Sequence, residues 1–531
     1  MELTKIQVSI IKVYLKTLLK KGMHPSRLDM AEAGHNRDSI RQHFVSLQNL
    51  RAQAKEYDPK SFESIIDETL FTPKAFNKLA KTVRSFRRFV ITTAVVGCPV
   101  HKGFLKSIRT YCKRNDAMLL VLPSADPASG NAWSLDPKLG KDHIVFGDIS
   151  LNSNFFISGI KLSAKAIDPS TGLDRIGQRH GSFIYASPKQ RLKFMPVSNV
   201  KHPHAEMTPG AITLPRYNSQ RFMSERTAYI ANHDHVMGAM IVEIADNKRY
   251  HFRPIQADSE GNFVDLGDFY TGNSVSKMFA EAFSLGDWHS GETDPSAVRA
   301  WKEVIDLVKP KKLFIHDGFN GMSINPHEKE KQISRAILAD KGTLDLKAEI
   351  THFAKDLDML ASLPGIEQII VVKSNHDVFL ERWLEQGDWT KDPANYKLSL
   401  RLAGAMADGH NPLQFGAEML GLKAKSSIKW LSIDEDYFIA RIQCGAHGHK
   451  GPKGSRGNIK GMERAYGQCV TGHSHGPEIL RGAYQNGTSS YLKLAYNEGP
   501  SDWVHSSTLI YSNGMRQMIN SFDGDWHLKS K

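Results

Sequence analysis

The stretch FSLGDWHSG, residues 283–291, carries an apolar strand-like run through Leu285 and Gly286 into Asp287 and, two residues on, His289. A carboxylate and an imidazole at i and i+2 just past a strand end can converge on one metal ion. Asp-x-His alone also recurs by chance, and a surface acid beside a tryptophan is its plain alternative. The companions downstream favour the metal. Residues 311–315 form a short apolar run ending in His316-Asp317-Gly318-Phe319-Asn320, and residues 366–372 form another ending in Ser374-Asn375-His376-Asp377. Residues 437–443 lead into Gly445-Ala446-His447-Gly448-His449, and residues 468–471 end in Gly472-His473-Ser474-His475. Helical patterns separate the first three runs, and strand, helix, strand, helix, strand predicts a parallel sheet in an α/β fold. Ligands of such sheets sit beyond the carboxyl ends of the strands. The five polar clusters are therefore expected to meet at one site.

In order, Asp287-x-His289, Asp317, Asn375-His376-Asp377, His447-Gly448 and Gly472-His473-x-His475 resemble the signature of calcineurin-like metallophosphoesterases. Residues 317–328, DGFNGMSINPHE, look most like the Mre and SbcD nuclease branch, and the resemblance runs from about residue 279 to the C-terminus. The whole chain, N-terminal extension included, also resembles the pre-early nucleases that degrade host DNA in infections by T-five-like coliphages. What this implies is a C-terminal β-sandwich flanked by helices and a centre for two divalent ions. Asp287, His289 and His475 would hold one ion and Asn375, His447 and His473 the other, with Asp317 bridging. Mixed oxygen and imidazole donors without thiolate suit manganese, iron or zinc, and nuclease relatives favour manganese. The resemblance makes His376 the expected donor of a proton or hydrogen bond to the leaving oxygen, with Asp377 fixing its tautomer; a structural role beside the ligands is the alternative. This chain departs from the family in carrying His316 and Ser374 where glycines usually precede the motif Asp and Asn. Asn320 stands where nuclease members often carry Asp or His. The ligand set is unaffected, and substrate placement is where these differences bear.

A chain of 531 residues, 40% hydrophobic and 24% charged, exceeds one ordinary core and predicts two or three domains of a globular protein. The expected division is residues 1–85, a helix-turn-helix DNA-binding unit; residues 86–275, an α/β and β-rich middle region; and residues 276–531, the metallophosphoesterase domain. No run of about 18 apolar residues occurs, so no membrane span is expected. In MELTKIQVSIIKVYLKTLLKK the lysines interleave with the apolar residues, which reads as an amphipathic helix and not as a signal peptide. Four cysteines without C-x-x-C spacing argue against a disulfide framework and a Cys-ligated zinc, and fit a reducing cytoplasm, that of the host on the phage resemblance.

The net charge of +13 is concentrated, since residues 1–120 hold 22 Lys and Arg against 10 Asp and Glu. Such a surface attracts polyanions, DNA among them, or serves only as a solvated face. Helical spacing over residues 4–21, a short helix over 26–33, a turn at Gly34-His35 and Asn36 as N-cap of a helix reaching about residue 55 give the layout of a helix-turn-helix. Arg37, Ser39, Arg41 and Gln42 would then face DNA; a three-helix interaction module is the alternative. A further helix over residues 72–88 is expected to add Arg84, Arg87 and Arg88.

In the middle region, residues 89–96, 102–114 and 118–122 read as strand, helix and strand, followed by a largely β elaboration. Asn232-His233-Asp234-His235 imitates the Asn-His-Asp motif without its partners and is expected to be structural. No Gly-x4-Gly-Lys-Ser/Thr loop occurs, so no internal ATPase is expected. Residues 448–457 hold four glycines, a proline, and Lys450, Lys453 and Arg456 at three-residue intervals, a loop suited to a phosphate backbone or else a flexible basic surface. The sequence thus predicts a two-metal DNA nuclease and is compatible with a homo-oligomer. The alternatives are a metallophosphatase or small-molecule phosphodiesterase, and a non-catalytic DNA-binding regulator; the last is disfavoured because every ligand position holds a competent residue.

Overall fold

The computed structural model describes residues 3–67, 70–124, 134–198, 202–217, 225–326, 331–433, 435–494 and 497–529. His327 and Glu328 of the 317–328 motif lie outside them. The chain is a mixed α/β protein with 15 α-helices and several mixed sheets among the described residues.

The sheet that carries the opening stretch has six strands, in the order Ile428–Trp430, Gln368–Val371, Lys312–Ile315, Ala282–Ser284, His505–Ile510 and Arg516–Ser521. The first four are parallel, and His505–Ile510 pairs antiparallel with both of its neighbours. Side-chain alternation sets its two faces. Phe283, Leu313, Ile315, Ile369 and Val371 pack with Ala300, Trp301 and Val304 of helix Pro295–Val308 and with Phe353 and Leu357 of helix Leu346–Ala361. Ala282, Phe314 and Ile370 turn the other way and share a core with Leu192, Val470, Ile479 and Tyr484 of a second sheet. Each buried Val, Leu, Ile or Phe side chain among them contributes roughly 1.5–3 kcal/mol.

That second sheet has ten strands, running from Phe438–Ile439 through Ile442–Gln443, Cys469–Thr471, Ala483–Gln485 and Glu478–Leu480 to Gln190–Met195, His204–Pro209, Ser182–Ile184, Phe155–Ile157 and Ile149–Ser150. Strands from both sides of residue 275 share it, Leu192 lying opposite Ile479. One expectation is corrected here. Residues 437–443 are not a single strand of the parallel sheet, because Ala440 and Arg441 adopt φ 47° and 70° and turn the chain into a tight antiparallel hairpin. The fourth parallel strand is Ile428–Trp430. The five clusters therefore come from the ends of two sheets and not of one.

A third sheet joins Arg88–Val95 and Ala117–Ser124 in parallel, with helix Lys102–Asn115 between them, as the sequence indicates. The N-terminal helices are Lys5–Lys21, Arg27–Glu32, Arg37–Phe44 and Leu47–Tyr57. Thr4 and Gln7 form a capping box on the first, and Asn36 caps the third by accepting from the Asp38 and Ser39 amides. Two further corrections follow. The helix expected over 36–55 is broken at Val45, whose φ is 65°, and the helix expected over 72–88 spans Pro73–Val83. Arg87 and Arg88 are instead tied to the middle sheet and the chain end, through the Ile244 carbonyl (3.0 Å), Glu243 (3.2 Å) and the Leu528 carbonyl (3.2 Å). No helix among the described residues is long and apolar enough to cross a membrane.

Val45 is 74% exposed, so its left-handed backbone gains little from side-chain burial. Val45→Gly should raise stability by about 1 kcal/mol, through release of backbone strain, in a denaturant titration of the purified chain. An unchanged or lower midpoint would mean that the break is held without strain.

Candidate metal centre

The opening stretch lies along the segment that follows the next strand. Trp288, His289 and Ser290 donate their amides to the carbonyls of His316, Asp317 and Gly318 at 2.9, 2.8 and 3.0 Å. This ladder sets Asp287 and His289 beside Asp317, and all three are buried. From the second sheet, the His473 amide donates to Asp287 Oδ2 at 2.8 Å. Gly472 must be a glycine for this approach, since a Cβ there would lie 2.2 Å from Asp287 Oδ1. His289, Asp317, His473 and His475 all have positive φ, 47°, 42°, 82° and 59°. Such conformations cost on the order of 1–3 kcal/mol each in non-glycine residues and concentrate at functional sites.

Two donor groups result. Asp287, His289, Asp317 and His475 offer ligand atoms within 4.8 Å of one another, and so do Asp317, His447 and His473. Asn375 completes the second, its Oδ1 lying 3.1 Å from both His447 Nε2 and His473 Nδ1. Asp317 belongs to both, with Oδ2 at 3.2 Å from His447 Nε2 and 3.9 Å from His289 Nε2. In the first group His475 Nε2 is 3.1 Å from Asp287 Oδ2 and 3.0 Å from His289 Nε2. The Oδ1 atoms of Asp287 and Asp317 are buried without a hydrogen-bond partner. Buried carboxylate oxygens left in that state are costly unless a cation satisfies them. The cluster could therefore hold a metal ion, and its oxygen and imidazole donors fit a divalent one.

Burial alone would neutralise these groups, and it pushes His289 down to about 3 and His473 and His316 down to about 4. Against the same burial, the Asp317 charge and hydrogen bond lift His447 to about 9, while His447 and His376 hold the Asp317 carboxyl well below its ordinary range. The shared carboxylate stays anionic.

His376 lies at the edge of the cluster, its ring 4.8 Å from that of His289. The expected partnership with Asp377 is corrected. His376 Nδ1 faces the Asn320 carbonyl at 2.6 Å, whereas the Asp377 carboxylate accepts from the Ser374 amide at 3.0 Å in a capping box that starts helix Asn375–Glu385. Carbonyls only accept, so Nδ1 carries the proton and Nε2 is left for other chemistry. The Asn320 segment is fixed in turn by Glu349, which accepts from the Met322 amide at 2.7 Å and the Ser323 amide at 3.2 Å. Sequence reading missed Glu349, though an acid on the inward stripe of Leu346, Ile350 and Phe353 was a usable signal. It also missed His316, whose ring stacks 5.6 Å from His447 and whose Nε2 lies 3.2 Å from Ser284 Oγ.

Lys450, Lys453 and Arg456 are exposed, and their loop is closed by backbone bonds from Gly451 to Ser455 (2.7 Å) and from Gly457 to His449 (3.0 Å). Arg41 and Gln42 are exposed, and Arg37 and Ser39 half-buried, in the N-terminal helical unit. The imitation motif is structural: Asp234 pairs with Lys189 at 2.9 Å, and His235 bonds the Thr213 carbonyl at 2.7 Å.

Fold and site together define a mixed α/β protein with a buried Asp/His cluster at the meeting of two sheets. No protein-family model matches the chain, and no solved structure matches it. Among curated proteins it is 28% identical over 489 residues to Protein A1 of Escherichia phage T5, covering 85% of this chain and 86% of that one.

Because Asp317 is common to both groups, Asp317→Asn should weaken manganese uptake throughout the cluster. His475→Ala should empty the first group and leave the second loaded. Equilibrium dialysis with elemental analysis reads the difference, and equal losses in the two variants would show that the groups are not separate.

Proposed function

We propose that the chain is a two-metal phosphodiesterase of the metallophosphoesterase type, with DNA as its substrate and manganese as its preferred ion. The observation that carries this reading is the pair of donor groups joined by one anionic carboxylate. Two divalent ions supply Lewis acidity and an activated water to phosphodiester hydrolysis. Asp287, His289 and His475 would hold one, Asn375, His447 and His473 the other, and Asp317 would be common to both. His376, oriented by the Asn320 carbonyl, presents Nε2 to the leaving oxygen; from its doubly protonated form it donates the Nε2 proton there and keeps the one on Nδ1.

A polymeric substrate is supported by the exposed cations of the 448–457 loop, which begins one residue past His447, and by the basic N-terminal quarter, whose Arg37, Ser39, Arg41 and Gln42 we assign to DNA in a helix-turn-helix. The 28% identity to a phage protein supports the further proposal, drawn from the resemblance, that this DNA is a host's and is degraded in the host cytoplasm.

Purified protein with manganese, offered linear duplex, closed circular duplex, single-stranded DNA and a chromogenic monoester, should cut DNA in preference to the monoester. The reverse order would make it a phosphatase. His376→Ala should keep its manganese and lose a factor of about 10² to 10⁴ in rate; loss of the metal instead would make His376 a ligand.

The DNA-facing residues are best tested by point substitution, because the N-terminal unit is buried into the rest through the His24 amide on Ser134 (2.8 Å) and Asp29 on Arg216 (3.2 Å). Arg41→Ala with Gln42→Ala should weaken duplex binding and flatten the log-log salt dependence by about 0.9 for each phosphate no longer neutralised. Lys453→Ala with Arg456→Ala should slow DNA cleavage more than hydrolysis of a small chromogenic diester. Unchanged salt slopes and rates in both variants would make these residues solvated surface.

A further inference from the structure

Helix Asn375–Glu385 begins at the candidate centre and continues away from it. Phe379, Arg382, Trp383 and Gln386 follow His376 at spacings of three, six, seven and ten residues, which keeps them on one side of the helix axis. With Asn325, Lys391 and Arg335 of helix Gln332–Asp340 they line a cavity of about 570 Å3. Three features of this cavity point to a ligand. It adjoins the reacting centre, since the Phe379 ring lies 4.8 Å from that of His376. It holds cations in excess of its acids, and the side chains of Arg335, Arg382 and Lys391 form no ion pair or hydrogen bond among the described residues. Of the two acids that line it, Asp388 and Asp392, the second is occupied by the Ala394 amide at 3.2 Å and the Asn395 side chain at 2.9 Å. Phe379 and Trp383 add aromatic rings to its lining.

Guanidinium groups and aromatic rings lining one cavity suit a ligand with a phosphate at one end and a flat base at the other. At a rise of 1.5 Å per residue, the wall from Phe379 to Gln386 lies roughly 5 to 15 Å along the helix from His376. That is the reach of the next few nucleotides of a strand whose phosphates recur about every 3.4 Å of helix axis. Resting on the phosphodiesterase reading above, we propose that this cavity is a subsite for the nucleotide flanking the scissile phosphate, its phosphate between Arg335 and Arg382 and its base against Phe379 and Trp383. The cavity would select a nucleic-acid strand over a small diester, which has nothing to place in it.

Arg335→Ala with Arg382→Ala tests this without disturbing the fold, since neither side chain forms an ion pair or hydrogen bond among the described residues. Two probes are needed: a fluorescent phosphorothioate oligodeoxynucleotide followed by anisotropy, and bis(4-nitrophenyl) phosphate followed by turnover, both with manganese. The double variant should bind the oligonucleotide about a hundred- to ten-thousandfold more weakly, the scale of two missing charge-assisted bonds. Its log-log salt slope should fall by roughly 0.7, the value for one phosphate on a single strand. Turnover of the small diester should stay within about twofold. Unchanged oligonucleotide affinity and slope would overturn the subsite, as would a parallel loss of small-diester turnover, which would place the effect at the metal centre. Because binding is read without cleavage, a protein that needs these arginines to hold the oligonucleotide yet cuts no DNA would leave the subsite standing and remove the nuclease reading.

Discussion

The approach of the Asp317 carboxylate to the His447 imidazole, 3.2 Å in a buried setting, joins the carboxyl end of a strand in one sheet to a loop from the other. Neither side chain could be charged there alone, because burial opposes both, and each supplies the counter-charge that the other needs. The shared apolar core beneath, in which Phe314 and Ile370 meet Val470 and Tyr484, brings the two sheet ends within that distance. Everything else at the site elaborates this meeting: the amide ladder from residues 288–290 to 316–318, the glycine that admits Asp287, and the left-handed turns that aim His473 and His475 inward.

How much of this could be read from the chain follows from how far each determinant extends along it. The strands Ala282–Ser284, Lys312–Ile315 and Gln368–Val371 were legible because apolar alternation and the polar residues at their ends are local signals, and so was the convergence of Asp287, His289, Asp317 and Asn375. Local too were the caps at Thr4 and Asn36. What was not legible depends on partners distant in sequence. The 437–443 run has strand composition throughout, and only the left-handed pair Ala440 and Arg441, favoured by the tight hairpin, divides it. The strand Ile428–Trp430 is three residues long and gains its place from pairing with Gln368–Val371.

The orientation of His376 illustrates the same limit at the scale of one bond. Sequence adjacency suggested Asp377 as its partner, yet a residue in the first turn of a helix is better placed to serve the free amides of that turn, as Asp377 does for Ser374. The carbonyl that holds His376 comes from Asn320, 56 positions away, and is itself held by an acid on a different helix. The imidazole is thus positioned by three separate elements.

The ten-stranded sheet also sets the order in which this polypeptide can be completed. Strand Gln190–Met195 pairs on one side with Glu478–Leu480, and Arg191 bonds Glu478 across 287 positions. At a translation rate of about 5–20 residues per second, the upstream half of that sheet waits roughly 15 to 60 s for its partner to leave the ribosome. Through that interval one edge of Gln190–Met195 is open to any passing strand. The nascent chain cannot finish a middle unit and then begin a metal-binding one: the strands that position His473 and His475 are also those that close the middle sheet. A truncated product, ended before residue 478, would therefore lack the strands that support the centre and expose an unpaired edge at the same time, which makes incomplete chains prone to aggregate instead of persisting as partly active protein.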